Sequence, residues 1–380
     1  MDFDFSDDQE QLRDAVKKWV SKAYDFERRR NIVKSGGFSR DAWGEMAELG
    51  LMGLAVPEAH GGMGFGPVEA MVVMEELGRG IVLEPYAAVS LVATSGLAAY
   101  GSAEVQSAWL PRIAEGSALV VLAHQEREAR HVLRHVKTRA TESKGQWRVN
   151  GAKSVVPVGD QADAFLVPAR VSGADDEAQG IALFLVERGA AGVATRGYAL
   201  QDGSRAAEVS FSDSPATLLA GPADGLKALE AMVDVAIAAQ CAQAVGAMDQ
   251  LFAITVDYLN TRKQFGVPIG TFQALRHRVA DMKMQLELAR SMSYYATLKL
   301  GEPHELRRRA ISQAKVQLGQ SMRYVGQQSI QLHGGIGVTD EYIAGHYFKH
   351  LTCLELSFGD TLHHLGEVSE RMQDTAGVFA

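Results

Sequence analysis

From Leu226 onward the chain falls into four long runs with the apolar repeat of an α-helix and little proline: Leu226–Asn260, Phe272–Leu300, Leu306–Leu332 and Asp340–Gln373. Helices of that length joined by short connections bury their apolar stripes against each other, which predicts a four-helix bundle over residues 216–380. The first connection is unusual. It gathers Arg262, Phe265, Gly266, Pro268, Gly270 and Gln273 between two helices. Helix packing by itself asks for none of these. A guanidinium with a flat ring alongside suits a bound anion.

The chain before the bundle changes character once. Residues 1–118 read as helical. Ser6 with Gln9 forms a capping-box pattern, and Leu12, Val16, Trp19 and Val20 share one apolar face. Further helices are predicted over Ser39–Gly50, Val68–Arg79, Ala87–Tyr100 and Ser102–Ile113. The stretch Gly50–Gly64 is a glycine-rich loop without the strand-to-helix setting of a dinucleotide fingerprint. From Leu119 to Phe211 apolar and polar residues alternate, as in Gln146–Gly151, Ala164–Pro168 and Ile181–Val186, which predicts a small β domain with an exposed loop at Ser172–Gln179. The helical pattern resumes after Pro215. The expected architecture is therefore α+β, with an N-terminal helical domain (1–118), a middle β domain (119–215) and the C-terminal four-helix bundle (216–380).

Composition narrows the function. A chain of 380 residues exceeds one typical core and suits several domains. A net charge of -8 argues against a nucleic-acid partner. Cys241 and Cys353 sit in apolar helical patterns, which points to a reducing, cytoplasmic setting, and no Cys/His cluster has metal-ligand spacing. The acidic start lacks a signal-peptide core. The apolar run Ala231–Met248 is interrupted by Asp234, Gln240 and Gln243, so it reads as a buried helix and not a membrane span.

Several motifs in order resemble the acyl-CoA dehydrogenase family, FAD enzymes that desaturate acyl-CoA thioesters. The similarity is strong at Asp257–Gln273, His277–Met282 and Gln331–Val338. It recurs at Gly50–Gly64 and Tyr100–Pro111, and more weakly at Trp147–Lys153, Leu200–Gly203 and Ala207–Val209. The resemblance implies that Arg262, Phe265, Gln273, Gln331, Gly334 and Gly335 hold the adenine-diphosphate half of an FAD bound by a neighbouring subunit, and it adds Thr361 to the cofactor contacts. It also implies an acyl-CoA substrate and an electron-transfer flavoprotein as acceptor.

The chain also departs from the family pattern. Members carry a base, usually Glu, just before a Gly-Thr near the C terminus. Gly359 stands in that slot, with Asp360 one place later and His363 and His364 beyond. The alternative slot before Gly246 holds Ala236, followed by Ile237 where an Arg is frequent; Asp234 matches a nearby family Asp. The flavin-contacting Thr-Glu-Pro-x-x-Gly-Ser-Asp segment is replaced by the charged run Ala123–His131. The second contact becomes Ser154–Pro157, where Pro157 offers no backbone donor. The pattern resembles the smaller subunit of two-gene, heterotetrameric members. It predicts a chain that lends the adenine end of an FAD site to a related, Glu-bearing subunit. The competing expectations are a self-sufficient enzyme with Asp360 as base and a redox-inactive scaffold on the same fold. The acyl group is expected to be bulky, by analogy with two-gene relatives.

Overall fold

The computed structural model describes residues 5–375; residues 1–4 of the acidic start and residues 376–380 lie outside it. Helices α1 (Asp7–Ala23), α2 (Phe26–Lys34), α3 (Arg40–Glu48), α4 (Pro67–Arg79), α5 (Thr94–Tyr100) and α6 (Ala103–Ala114) come first. Strands β1 (Val120–Leu122), β2 (Arg139–Ser143), β3 (Gln146–Pro157), β4 (Ala164–Arg170), β5 (Ile181–Glu187), β6 (Val193–Ala199) and β7 (Arg205–Ala220) follow. Then come α7 (Gly225–Thr261), a hairpin of β8 (Lys263–Gln264) and β9 (Val267–Pro268), α8 (Gln273–Lys299), α9 (His304–His333), α10 (Ile343–Leu356) and α11 (Thr361–Thr375). The helical, β, helical order is the one expected.

The differences have physical causes. Helix α2 carries no clear apolar repeat because Arg29 takes a core position, 1% exposed, with Nε donating to the Ile81 carbonyl at 2.9 Å. Residues Ala87–Ala93 coil as a π-helix before α5. Strand β7 runs through Pro215, which pairs with Arg148 of β3, so the helical pattern resumes only at Gly225. The run Asp340–Gln373 is not one helix: it breaks at Ser357–Asp360, where Phe358 and Gly359 take φ of 55° and 108°. A single glycine inside an apolar repeat gave no sign of this break.

The chain packs as two compact units, each drawn from separated stretches. One comprises Asn31–Gly66 and Leu83–Ala236 and contains the sheet. Its strand order is β1-β4-β2-β3-β7-β5, with β6 on β7, and an added β4–β5 pairing returns the sheet on itself. Strand β4 is buried along its whole length and contributes Phe165 and Val167 to the core, against Phe184 of β5. Arg170 ends β4 fully buried. Its guanidinium donates to the carbonyls of Arg134, Val136, Asp175, Glu177 and Gln179, which ties two loops to the sheet.

Among the described residues, the other unit comprises 5–30, Pro67–Val82 and 237–375. Here α9 is the central helix, packed against α8, α10 and α11. Helix α7 is long and apolar enough to cross a membrane, but 78% of its apolar window is buried inside the protein. Two glycines let α4 and α7 touch backbone to backbone. A Cβ on Gly246 would lie 1.8 Å from the Glu75 carbonyl oxygen, and one on Gly78 would lie 2.0 Å from that of Gln243. No side-chain rotation relieves a backbone clash. Gly246→Ala is therefore expected to lower unfolding free energy by about 2–3 kcal/mol in urea titration. Gly366→Ala, whose Cβ meets nothing within 4 Å, should leave the midpoint unchanged or raise it.

Candidate functional site

The Arg262–Gln273 connection folds as a two-residue hairpin. The Arg262 amide still closes the α7 spiral on Tyr258, and the Ile269 amide returns to the Arg262 carbonyl at 2.8 Å. Phe265 and Gly266 form the turn, with φ of 55° and 80°, the left-handed pair that such a hairpin demands. Glycine accepts this freely, but phenylalanine does so at a cost. The Phe265 ring is also 90% exposed and meets only Phe272, edge-on at 6.0 Å. A large apolar ring held outward on a strained turn contributes little to its own core, which marks it as a candidate contact residue. Arg262 and Gln273 flank it and are exposed.

At the far end of α9 lies an open cleft of about 400 Å³, lined by Gln327, Ile330, Gln331, Gly334, Gly335, Val338 and Phe348. Gly334 caps the helix at φ 63° and ψ -138°, a conformation that only glycine adopts readily. Gly335 is different. Its φ is not positive and a Cβ there would meet nothing within 4 Å, so neither backbone nor packing explains it. It leaves the backbone open to the cleft. Behind the cleft His333 stacks on Tyr258 at 4.6 Å, its Nδ1–H donates to the Ser329 carbonyl at 2.8 Å, and Nε2 accepts from the Tyr342 hydroxyl at 3.3 Å. Burial lowers the His333 pKa, so the wall is neutral. Gln331, Gly334 and Gly335 thus come together, while Arg262, Phe265 and Gln273 do not line this cleft. These groups fit the adenine-diphosphate half of FAD: exposed guanidinium, exposed ring, and glycine backbone with open space.

The turn between α10 and α11 occupies the slot expected for the base. Asp360 is the N-cap of α11: its Oδ1 accepts the His363 amide at 2.8 Å, and its carbonyl accepts the His364 amide. Thr361 turns inward, donating its amide and hydroxyl to Glu355 Oε1 at 3.1 and 2.6 Å. Of the adjacent histidines only His364 is buried. Its Nε2–H donates to the Phe358 carbonyl at 3.0 Å, and Nδ1 accepts from Ser312 at 3.2 Å. Burial, then the charge of Lys315, pushes the His364 pKa down to about 3. Lys315 itself, unmarked in the sequence, is buried and donates to the Leu354 carbonyl at 2.5 Å; burial lowers its pKa to about 8. Ser312, Lys315, Gly319 and Arg323 follow helical spacing on α9 and form the face beneath this turn.

In the sheet-bearing unit, the charged run Ala123–His131 is held to β3 by a buried ion pair. Lys153 Nζ lies 2.7 Å from Glu126 Oε1, with Lys153 fully buried and Glu126 6% exposed. The Glu126 carboxylate also accepts the Lys137 and Thr138 amides and the Thr138 hydroxyl. Burial alone would raise its pKa, but Lys153 and these donors hold it below the usual carboxylate range. Asp234 is wholly buried in α7, which rules out a helix-surface role; Ala236 and Ile237 beside it are buried and apolar.

Family models cover almost the whole chain. The acyl-CoA dehydrogenase N-terminal, middle and C-terminal domains match residues 6–117, 122–214 and 223–373. The chain belongs to the acyl-CoA dehydrogenase family, FAD-dependent oxidoreductases acting on CH–CH bonds. Among curated proteins, acyl-CoA dehydrogenase FadE12 of Mycobacterium tuberculosis is 30% identical over 89% of this chain and 88% of its own. Among solved structures, a variant of the Tcur3481-Tcur3483 steroid ACAD superposes with TM-score 0.88 at 29% identity, covering 97% of this chain and 98% of that one. The ChsE4-ChsE5 complex of Mycobacterium tuberculosis gives TM-score 0.89 at 25% identity, covering 99% and 100%.

Two expectations concern the α10–α11 turn. A Cβ on Gly359 would fall 2.6 Å from both His364 Nε2 and His363 Cδ2, at a φ that side chains avoid. Gly359→Glu should therefore cost on the order of 2–4 kcal/mol in denaturant unfolding and create no working base. His364 is neutral when folded and titrates near 6.5 when unfolded, so its contribution is present above that pH and is lost as pH falls toward 3. Below pH 6.5, His364→Gln should flatten the stability–pH curve by up to about 1.4 kcal/mol per pH unit.

Proposed function

We propose that this chain is the non-catalytic or semi-catalytic subunit of a two-gene acyl-CoA dehydrogenase. It contributes the adenine end of the FAD site in trans to a related subunit that carries the Glu base. The observation that carries this reading is Phe265, 90% exposed on a strained hairpin with exposed Arg262 beside it. Such a tip is built to reach a ligand held elsewhere. Arg262 offers paired donors to a diphosphate, Phe265 a flat apolar face, Gln273 and Gln331 uncharged polar contacts, and Gly334–Gly335 close backbone approach. The bound cofactor in this family supplies acceptance of the β-hydride while a carboxylate removes the α-proton. In this chain that carboxylate's slot is Gly359, and the nearest candidate, Asp360, serves as a helix cap.

Relatives described as a steroid ACAD and as a ChsE4-ChsE5 complex support a two-chain assembly acting on a bulky acyl-CoA. An electron-transfer flavoprotein as acceptor and a reducing, cytoplasmic setting complete the proposal. Purified alone, the chain should carry little flavin absorbance and no acyl-CoA dehydrogenase activity. Co-purified with a Glu-bearing relative, it should yield a yellow, active complex. Full flavin occupancy and turnover by the lone chain would refute it. Asp360→Asn decides the competing reading, because Asn also caps helices. Loss of turnover beyond about 100-fold with flavin retained would make Asp360 the base; unchanged turnover leaves it a cap.

A further inference from the structure

We propose that the edge of the β unit which faces the flavin in other family members is sealed in this chain by its own residues, with Tyr198 as the closing group. The chain then holds no isoalloxazine ring. The inference rests on the proposed function, because it assigns the ring wholly to the partner.

Backbone donors decide the matter. A polar ring system such as isoalloxazine is gripped by free N–H groups, and a buried or ordered N–H already paired within the chain has nothing left to give. Along the end of β3 and the turn after it, the Ser154, Val155, Val158 and Gly159 donors are taken. The Ser154 amide donates to the Gln125 carbonyl at 2.8 Å. The Val155 amide donates to the Tyr198 hydroxyl at 3.1 Å. Val156 lies in register with Ala207 of β7. Pro157 has no N–H. The Val158 and Gly159 amides donate to the Arg205 and Val156 carbonyls at 2.9 and 3.1 Å.

The seal is also stiff. Val155 and Val158 hold φ of 53° and 42°, which β-branched residues adopt only under constraint from their surroundings. Those constraints are visible. Lys153 and Glu126 pin the charged run from beneath. Tyr198 spans from Val155 to Glu208, donating to Oε1 at 3.4 Å, and Arg127 pairs with the same oxygen at 3.5 Å. Arg205 adds its ion pair with Asp160. Opening this edge for a ring would break these contacts together. The residues present therefore fit the adenine half of FAD and not its ring.

Hydrogen–deuterium exchange of the full chain, alone and in the co-purified complex, with and without added FAD, tests this. Exchange of the 154–159 amides should change by less than about twofold on FAD addition, while the 258–276 and 327–340 segments become protected in the complex. In the chain alone, Tyr198→Phe should speed exchange of the Val155 amide by about tenfold or more, since its acceptor is gone. FAD-induced protection at 154–159 would overturn the inference. So would an unchanged Val155 amide in Tyr198→Phe. Absence of protection at 258–276 and 327–340 would instead overturn the proposed function.

Discussion

Lys153 is fully buried, and its ammonium must find its charge partner inside the protein. Glu126 is that partner, and the choice propagates. The carboxylate draws the Lys137 and Thr138 amides onto itself, which fixes the path of the whole charged run from Ala123 to Thr138. Breaking one side of such a pair leaves a buried charge and costs about 3–5 kcal/mol. The same unit holds Arg170 in a cage of carbonyls, so the flanking loops are fixed as firmly as the sheet.

The helical unit shows the opposite arrangement. Its α10–α11 turn is tied from beneath by Ser312 and Lys315 of α9, and His364 and Glu355 complete a polar interior. Each of these groups has a structural partner. Lys315 supports a carbonyl, Asp360 caps a helix, and His364 is kept neutral. The hairpin and the Gly334–Gly335 turn, by contrast, leave Arg262, Phe265, Gln331 and both glycines exposed. Structural commitment at the reaction slot and availability at the cofactor's adenine end are what the proposed role, a subunit that completes another's site, requires.

Much of this was legible in the sequence, for identifiable reasons. Long apolar repeats gave the helices, and Ser6, Ser39 and Ser102 marked N-termini that the structure caps with their hydroxyls. The glycines at 266 and 334 stood out because few other residues suit those backbones. What stayed hidden involved polar residues in apolar places. Arg29 concealed α2, Lys315 and His364 looked like ordinary helix positions, and the Lys153–Glu126 pairing joins residues far apart in the chain. Tyr198 and Val155 carried no mark at all, because their bond depends on two strands meeting on β7. Tertiary partners of this kind leave no local period to read.

In the proposed assembly, side chains of this subunit grip an FAD whose ring lies on another. That claim is tested most directly by the FAD affinity of the two-subunit complex when only this chain is altered. Arg262→Ala with Phe265→Ala should weaken FAD binding by about 100-fold, in line with loss of a charge-assisted contact and a stacked ring. Each lies on an exposed hairpin, so folding and subunit association should be unaffected. An unchanged FAD dissociation constant in an intact complex would contradict the account.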